Sequence, residues 1–239
     1  MSGGDLYGVW FDNYHTFDWG LYIVDRQENK PPEPKIYTVN VPGGNGVIDV
    51  TEAVLGSVAY NNREITCEFY IIDENVRNWA TLYSDIMAAI HGRKMRIVFD
   101  DDPGYYYVGR VSVTNWKSGR RHSILTVTCD CEPFKYLINA YGDDWLWDPF
   151  DFEYGEILDD TKTVNSSAVV TLETLKMPVT PTFRANKAMT VAYLGKTYSI
   201  PANKDITFYD LVLTEGTHNL TFKCSGTGTV KIMFTNGVL

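Results

Sequence analysis

Residues 64–90, EITCEFYIIDENVRNWATLYSDIMAAI, change their hydrophobic period midway and predict a strand followed by a helix. In the first part, apolar side chains alternate with acidic and threonine side chains, which is the pattern of a half-buried strand. From Asp73 onward, apolar residues recur at steps of three and four, as in an amphipathic helix. We therefore predict one helix at about residues 74–91, packed on a β-sheet.

The ends and the apolar side of this helix can also be read from the sequence. Asp73 or Asn75 can cap the start, and Gly92 can supply the left-handed residue that follows the last turn. The apolar side consists of Val76, Trp79, Leu82, Tyr83, Ile86, Met87 and Ile90. It has the period of burial and no polar group suited to a ligand, so we interpret it as a core face.

Short alternating or apolar runs on both sides of this segment predict further strands. They lie at residues 6–11, 21–24, 36–41, 95–99, 105–113 and 122–131. The sequence Asp101-Asp102-Pro103-Gly104 is typical of a turn and predicts a hairpin. The first part of the chain is therefore predicted to be an α+β domain, with one helix on a β-sandwich or barrel.

The second part of the chain is rich in Thr and Val and shows no helical window. Its predicted strands lie at residues 168–175, 182–185, 189–194, 196–200, 205–213, 218–224 and 230–234. The sequence Gly226-Thr227-Gly228 is interpreted as a turn between the last two. Many short, evenly spaced strands are typical of an all-β sandwich. We predict a mainly β protein with two domains, residues 1–134 and 135–239.

Composition and charge exclude several classes of protein. With 44% hydrophobic and 14% aromatic residues among 239, the chain is not disordered. Its net charge of −9 argues against tight binding to nucleic acid. No segment approaches the roughly 20 apolar residues of a membrane span. Residues 1–5 lack the features of a secretory signal, so we expect the protein to stay where it is made or to leave by lysis.

No motif in the sequence identifies a catalytic, metal or cofactor site. Cys67, Cys129, Cys131 and Cys224 lack metal-ligand spacing and are interpreted as buried reduced thiols. The sequence contains no G-x-S-x-G motif. Three carboxylates at residues 100–102 lack the spacing of a calcium loop and are interpreted as a solvated hairpin tip. We therefore predict no enzymatic activity and no cofactor.

Residues 143–160 combine eight acidic residues with aromatic side chains and contain no Lys or Arg. Such a segment could bind a sugar through Trp145 and Trp147, as in a lectin-like module for host glycans. A glycosidase would need two carboxylates held roughly 5 to 9 Å apart, and none can be named here. A strand that links the two domains and packs one face explains the same pattern.

Much of the first domain resembles the distal tail protein (Dit) family of siphophages. The matching runs are WFDNYHTFDWGL at residues 10–21, PEPK at 32–35, VPGGNGVIDVTE at 41–52, YNNR at 60–63, IHGR at 90–93, DDDPGYYYVGR at 100–110 and CEPF at 131–134. The second domain resembles the galectin-like sandwich of that family. Its matching runs are MPVTP at 177–181, GKTY at 195–198, LVL at 211–213, EG at 215–216 and GTGTV at 226–230.

This resemblance implies a structural protein of the virion, located at the distal end of the tail and made in the host cytoplasm. Members of the family form a hexameric ring from their N-terminal domains. The ring joins the tail-tube protein to the tail-associated hub protein, and the C-terminal domains can hold a receptor-binding protein. DNA passes through the ring, and an acidic lumen would let a polyanion slide without binding.

The sequence also suggests which segments contact a neighbouring subunit or the hub. The glycine-rich loop offers flexible backbone, and a strand with three consecutive tyrosines can bury only one of its faces. The candidate interface residues are Pro42, Gly43, Gly44, Asn45, Gly46, Tyr105, Tyr106 and Tyr107. At least one of the tyrosine rings is expected to point outward.

Overall fold

A computed structural model of the chain describes residues 7–23, 28–55, 58–71, 79–118, 123–138 and 161–239. The chain forms two compact units, Met1–Lys135 and Tyr136–Leu239. Within the described ranges, no helix has the length and hydrophobicity needed to cross a membrane. Strands dominate both units, so the predicted mainly β fold class is confirmed.

The first unit consists of short strands, three longer strands and helical segments. The strands are β1 (Val9–Phe11), β2 (Tyr14–His15), β3 (Leu21–Ile23), β4 (Glu28–Asn29), β5 (Thr38–Asn40), β6 (Val47–Asp49), β7 (Arg63–Ile71), β8 (Lys94–Phe99), β9 (Tyr105–Ser118) and β10 (Ser123–Cys131). Strand β11 (Lys135–Leu137) begins at the last residue of this unit and continues into the second. The helices are a 3₁₀ turn (Thr16–Trp19), α1 (Thr51–Leu55) and α2 (Trp79–Ile90).

The main sheet of this unit has the antiparallel order β2-β1-β8-β9-β10-β7-β3, and β4 also pairs with β7. An antiparallel bridge between Tyr7 and Ile23 brings the start of β1 back beside β3. This bridge curls the sheet toward a closed barrel. Side chains on the inner face, among them Phe11, Phe69 and Phe99, form one buried core.

The strand predicted from the opening segment lies at the centre of this core. Ile65, Cys67 and Phe69 of β7 are completely buried, and β10 places Val127 opposite Cys67. The predicted alternation is therefore confirmed on both strands. Burial raises the pKa of the Cys67 thiol to about 12. That thiol stays protonated at neutral pH and acts as a small apolar side chain.

The remaining cysteines follow the same interpretation, with one difference. Cys129 and Cys131 are buried on the core side of β10, and desolvation raises the pKa of both thiols. Cys224 is only partly buried, and its Sγ lies 3.4 Å from the Val164 carbonyl oxygen. All four cysteines are free thiols.

Helix α2 packs its predicted apolar side on the core. Trp79, Ile86 and Ile90 are buried, while Leu82, Tyr83 and Met87 are partly buried against the same cluster. Gly92 follows the helix at φ +75°, the left-handed conformation expected from the sequence. The expected capping residues, Asp73 and Asn75, lie outside the described residues, as does Val76.

The prediction of a single helix in this unit was wrong. The structure adds α1 and the 3₁₀ turn, both too short to show a helical period in the sequence. Gly20 ends the 3₁₀ turn at φ +66°, and its N–H donates to the Phe17 carbonyl oxygen.

The second unit is built from β12 (Thr161–Thr174), β13 (Thr182–Ala185), β14 (Met189–Tyr193), β15 (Lys196–Ile200), β16 (Asp205–Thr207), β17 (Gly216–Met233) and β18 (Gly237–Val238). Its larger sheet has the order β15-β14-β17-β13-β16, with β12 also paired to β17. Residues from both ends of β17, such as Phe222 and Ile232, share one core with Phe183.

The prediction of two strands at residues 218–224 and 230–234 was wrong. They form one continuous strand, β17, which stays paired to β12 along its length. The sequence Gly226-Thr227-Gly228 is not a turn. A register shift occurs there, with Gly226 at φ +74° and Ser166 of β12 at φ +60°. Such a bulge bends a strand pair without ending it. The first half of β17 therefore pairs with β14 and the second half with β13.

The packing of α2 gives a testable prediction. Trp79 is only 6% exposed, so Trp79→Ala should lower the free energy of unfolding by about 3 to 5 kcal/mol, the usual cost of deleting a large buried aromatic side chain. Chemical denaturation of the two proteins measures this difference. Tyr83→Phe, which keeps the ring on the partly buried side of α2, serves as control. A loss below about 1 kcal/mol for Trp79→Ala would place the indole outside the core.

Candidate interaction surface

Strands β5 and β6 form a separate two-stranded ribbon. Thr38 pairs with Asp49, Val39 with Ile48, and Asn40 with Val47. We call the ribbon, its tip and α1 the arm, residues 36–55. At the base of the arm, the Lys35 N–H donates to the Ala59 carbonyl oxygen at 2.8 Å. The chain therefore leaves and re-enters the main body of the unit at one place.

The glycine-rich loop forms the tip of this ribbon. Gly43 and Gly46 have φ values of +79° and +78°, which favour glycine. The Gly44 N–H donates to the Val41 carbonyl oxygen at 3.0 Å and closes the turn. The predicted candidates Pro42, Gly43, Gly44, Asn45 and Gly46 are all exposed. They are thus placed where a partner can reach them.

One face of the ribbon is apolar although it is exposed. Side chains alternate along a strand, and opposite residues share a face, so Val39 and Ile48 lie on the same face as Tyr37 and Val41. The exposed fractions of Val39 and Ile48 are 51% and 54%. The other face carries Thr38, Asn40, Val47 and Asp49. An exposed, contiguous apolar surface in a folded unit indicates a site for a protein partner.

Thr51 holds the ribbon and α1 together. Its Oγ1 accepts the Tyr37 N–H at 2.8 Å and donates to Asp49 Oδ1. The Thr51 N–H also donates to Asp49 Oδ1, at 2.9 Å. Thr51 is buried although most of the arm is exposed. The bonds from the Thr51 hydroxyl and N–H lower the pKa of the Asp49 carboxyl.

The three tyrosines of β9 occupy different environments. Tyr107 is buried in the core, and its hydroxyl accepts a hydrogen bond from Asn29 Nδ2 at 2.9 Å. Tyr107 is therefore not available to a partner, and its inclusion among the interface candidates was wrong. Alternation along β9 turns it inward, where its ring meets the edge of Phe99 at a centroid distance of 5.9 Å.

Tyr105 and Tyr106 are each partly buried beneath a cation. Lys135 Nζ lies 4.0 Å from the centroid of the Tyr105 ring. Arg96 Cζ lies 4.0 Å from the centroid of the Tyr106 ring. The ring of Tyr106 is on the outer face of the sheet, opposite to that of Tyr107. These contacts replace the exposed patch of three tyrosines that the sequence suggested.

A second exposed aromatic surface lies at the edge formed by β1 and β2. Trp10, Phe17 and Tyr14 are exposed there. The His15 ring lies between Trp10 and Phe17, with both ring centroids at 4.5 Å from its own. These residues were not predicted to form an interface from the sequence. The density of aromatic residues in the run at 10–21 was a usable signal, because short strands cannot bury them all.

Polar contacts hold the aromatic surface at the edge of β1 and β2 in place. His15 Nε2 lies 3.2 Å from Asp100 Oδ2, which also accepts the Gly8 N–H at 2.7 Å. The Phe17 N–H donates to His15 Nδ1 at 3.3 Å. A Cβ atom at Gly8 would lie 2.6 Å from the His15 ring, so this close approach requires glycine. Asp100 therefore has a structural role at the end of β8.

Two of the three carboxylates at residues 100–102, Asp100 and Asp102, make contacts within the fold. Asp102 Oδ2 accepts from Lys135 Nζ at 2.6 Å. Within the described ranges, no cluster of three or more His, Cys, Asp or Glu side chains could hold a metal ion. Trp145 and Trp147 lie outside the described residues, so the glycan-binding hypothesis stays a prediction.

Comparison with known proteins finds a family model that matches part of the first unit. Residues 14–123 match the family model of the phage tail protein RIFT-related domain. This range contains the arm and most of the barrel. No curated protein sequence matches the chain significantly.

A solved structure with a similar fold comes from phage SPP1. It is the crystal structure of the Dit (gp 19.1) protein, described as a paradigm of the hub adsorption apparatus in phages that infect Gram-positive bacteria. The two chains share 14% sequence identity with a TM-score of 0.66, and the match covers 98% of this chain and 100% of that chain. At this identity the likeness shows a shared fold.

The hydrogen bonds at the start of α1 give a second prediction. In dilute, unassembled protein, Asp49 should titrate below its ordinary value of 3.8, because the Thr51 hydroxyl and N–H stabilise the carboxylate. A lowered pKa means that the bonds contribute above about pH 3.8 and are lost as the pH falls through the folded value. Carbon-13 NMR titration measures it. Thr51→Val removes only the hydroxyl and should raise the midpoint. An Asp49 midpoint at or above 3.8 in the unaltered chain would contradict the geometry.

Proposed function

We propose that this chain, which matches a phage tail domain over residues 14–123 and has a Dit-like fold, is a siphophage distal tail protein that forms a hexameric ring at the distal end of the tail. In this proposal the ring connects the tail-tube protein to the tail-associated hub protein and to the components that adsorb to the host. Six copies is the number that the family resemblance implies. One observation carries the proposal, namely the exposed apolar face of the arm.

The arm has the properties of a subunit contact. Burying a Val or Ile side chain completely is worth about 1.5 to 3 kcal/mol, and docking of the half-exposed Val39 and Ile48 would supply roughly half of that for each. A ribbon of two strands is also marginally stable by itself. Contact with a neighbouring subunit would bury the apolar face of the ribbon and would stabilise the ribbon at the same time.

The net charge supports a channel for DNA. The chain carries 21 basic and 30 acidic residues, so a ring of several copies is strongly acidic. Phosphate contacts with Lys and Arg supply most of the non-specific affinity for DNA. An acidic ring lacks that attraction and would let the genome pass without binding it.

We propose different roles for the two units. In the proposed assembly the first unit, which contains the phage tail domain, builds the ring. The second unit would hold adsorption components such as a receptor-binding protein. The glycine tip of the arm, with Tyr105 and Tyr106, is available for contact with a neighbouring subunit or the hub.

Two neighbouring residues of β6 test the role of the arm. Ile48 lies on the apolar face and Val47 on the opposite face, with exposed fractions of 54% and 56%. Ile48→Asn should weaken subunit association by at least about tenfold, or about 1.4 kcal/mol. Val47→Asn, with the same side chain introduced at similar exposure, should leave association unchanged. Sedimentation velocity over a range of concentrations measures both against the unaltered protein.

The outcomes of this comparison separate the possibilities. Equal weakening by both substitutions would mean that the strand was damaged, and Thr38→Ala would then test the polar face. Unchanged association with Ile48→Asn would remove the arm from the ring contact. A monomeric unaltered protein at every concentration would contradict the ring.

Truncation tests the division between the units. A chain that ends at residue 134 should still form rings, because the arm and the barrel are retained. Residues 150–239 alone should remain monomeric. Negative-stain images and light scattering of both pieces measure this, with the full chain as reference. Oligomers formed by residues 150–239 would reverse the proposed roles.

A further inference from the structure

A closed ring of more than two identical subunits uses two different surfaces on each chain, one for each neighbour. The arm can supply one of them. The second surface must lie elsewhere on the same chain and must complement an apolar ribbon. This requirement rests on the proposed ring. The second contact is therefore expected among the other exposed surfaces of the first unit.

The outer face of β1, β8 and β9 is a surface of this kind. Trp10 of β1 pairs with Val98 of β8, and the register of β8 with β9 continues this row to Tyr106. Trp10 is 42% exposed, and Val98 is partly buried. Beside them is an open depression of about 570 Å³, lined by Trp10, Asp12, Asn13, Arg96 and Val98. We call Trp10, Arg96, Val98 and Tyr106 the receiving face.

The receiving face has the composition of an interface centre. Trp, Tyr and Arg are the residues most enriched where a few contacts supply most of the binding energy. Arg96 Cζ already lies over the Tyr106 ring, 4.0 Å from its centroid, so ring and cation are held in place before a partner arrives. The Arg96 N–H also donates to Asp12 Oδ1 at 2.8 Å, which fixes the backbone beside the depression. Preorganised side chains lose little entropy on binding.

Charge links this face to the arm. Residues 36–55 contain two acids, Asp49 and Glu52, and no Lys or Arg. The outer face of β8 and β9 carries Lys94, Arg96 and Arg110, within a chain whose net charge is −9. Lys94 is paired with Glu132 at 2.6 Å, and Arg110 donates to the Gly92 carbonyl oxygen at 2.6 Å. Arg96 is therefore the cation placed next to Trp10 and the depression.

We propose that the arm of one copy docks on the receiving face of the next copy around the ring. The apolar face of the ribbon, centred on Val39 and Ile48, packs on Trp10 and Val98. The acidic end of the arm, with Glu52 exposed on α1, lies toward Arg96. Opposite charges at such a contact fix its register and orientation.

Charge reversal on the two surfaces tests this docking. Glu52→Arg and Arg96→Glu should each raise the dissociation constant between subunits by roughly tenfold or more, because like charges then face each other. The double variant should recover association. An equal mixture of the two single variants should recover it as well. In an alternating ring, each arginine arm meets a glutamate face and each unaltered arm meets an unaltered face.

Controls and a second measurement keep the test decisive. Glu215→Arg and Lys204→Glu reverse exposed charges on the second unit and should leave association unchanged. If Arg96→Glu lowers the melting temperature, cysteine pairs replace it. A mixture of Ile48→Cys chains with Val98→Cys chains, under mild oxidation, should give a cross-linked dimer that neither variant gives alone.

The results distinguish failure of the docking from failure of the ring. Weakening by the single variants without recovery in the double variant and the mixture would overturn the docking. Rings that form normally in both single variants would overturn it too and would leave the ring in place. Absence of the mixed cross-link in assembled rings would have the same meaning. An unaltered protein that stays monomeric at all concentrations would overturn the ring and the docking together.

Discussion

The first unit depends on the ladder of β7, β10 and β9, in which every second side chain must enter one core. Val127 of β10 faces Cys67 on one side and Val113 on the other, and all three are buried. A shift of one residue would turn the whole apolar set toward water. This register places β8 and β1 beyond β9, and with them the outer face that carries Trp10 and Arg96.

Side chains of the arm alternate between two faces as they do on the barrel strands, but the arm has no core of its own. Val39 and Ile48 share a face as core residues do, yet about half of each side chain is exposed. Polar contacts around Thr51 hold the fold of the arm and leave its apolar face free for another surface. In the proposed ring, association energy would come from a segment whose loss would leave the barrel core unchanged. That separation would suit a protein that folds before it assembles.

The proposed ring requires two such surfaces on one chain. A single self-complementary patch would lead to a dimer, whereas two different patches allow a closed ring. The segment that matches the phage tail domain, residues 14–123, contains the arm and all of the receiving face except Trp10. The first unit would then carry both surfaces that the proposed assembly needs. The second unit, built around the long pair β12 and β17, would be left to serve other partners.

The sequence by itself determined what local periodicity can encode. The alternation of β7 and β10, the apolar side of α2 and the left-handed residue Gly92 were all predicted, because each depends on neighbours in the chain. The tip of the arm was also found, since glycines mark turns. Tertiary structure alone decided that Tyr107 is buried while Tyr106 lies under Arg96, and that Gly226 bends a continuous strand. It also placed Trp10 beside Val98. These outcomes depend on pairing between distant strands. The hydrophobic period of a strand indicates that it has two faces, but it does not indicate which face packs on the core.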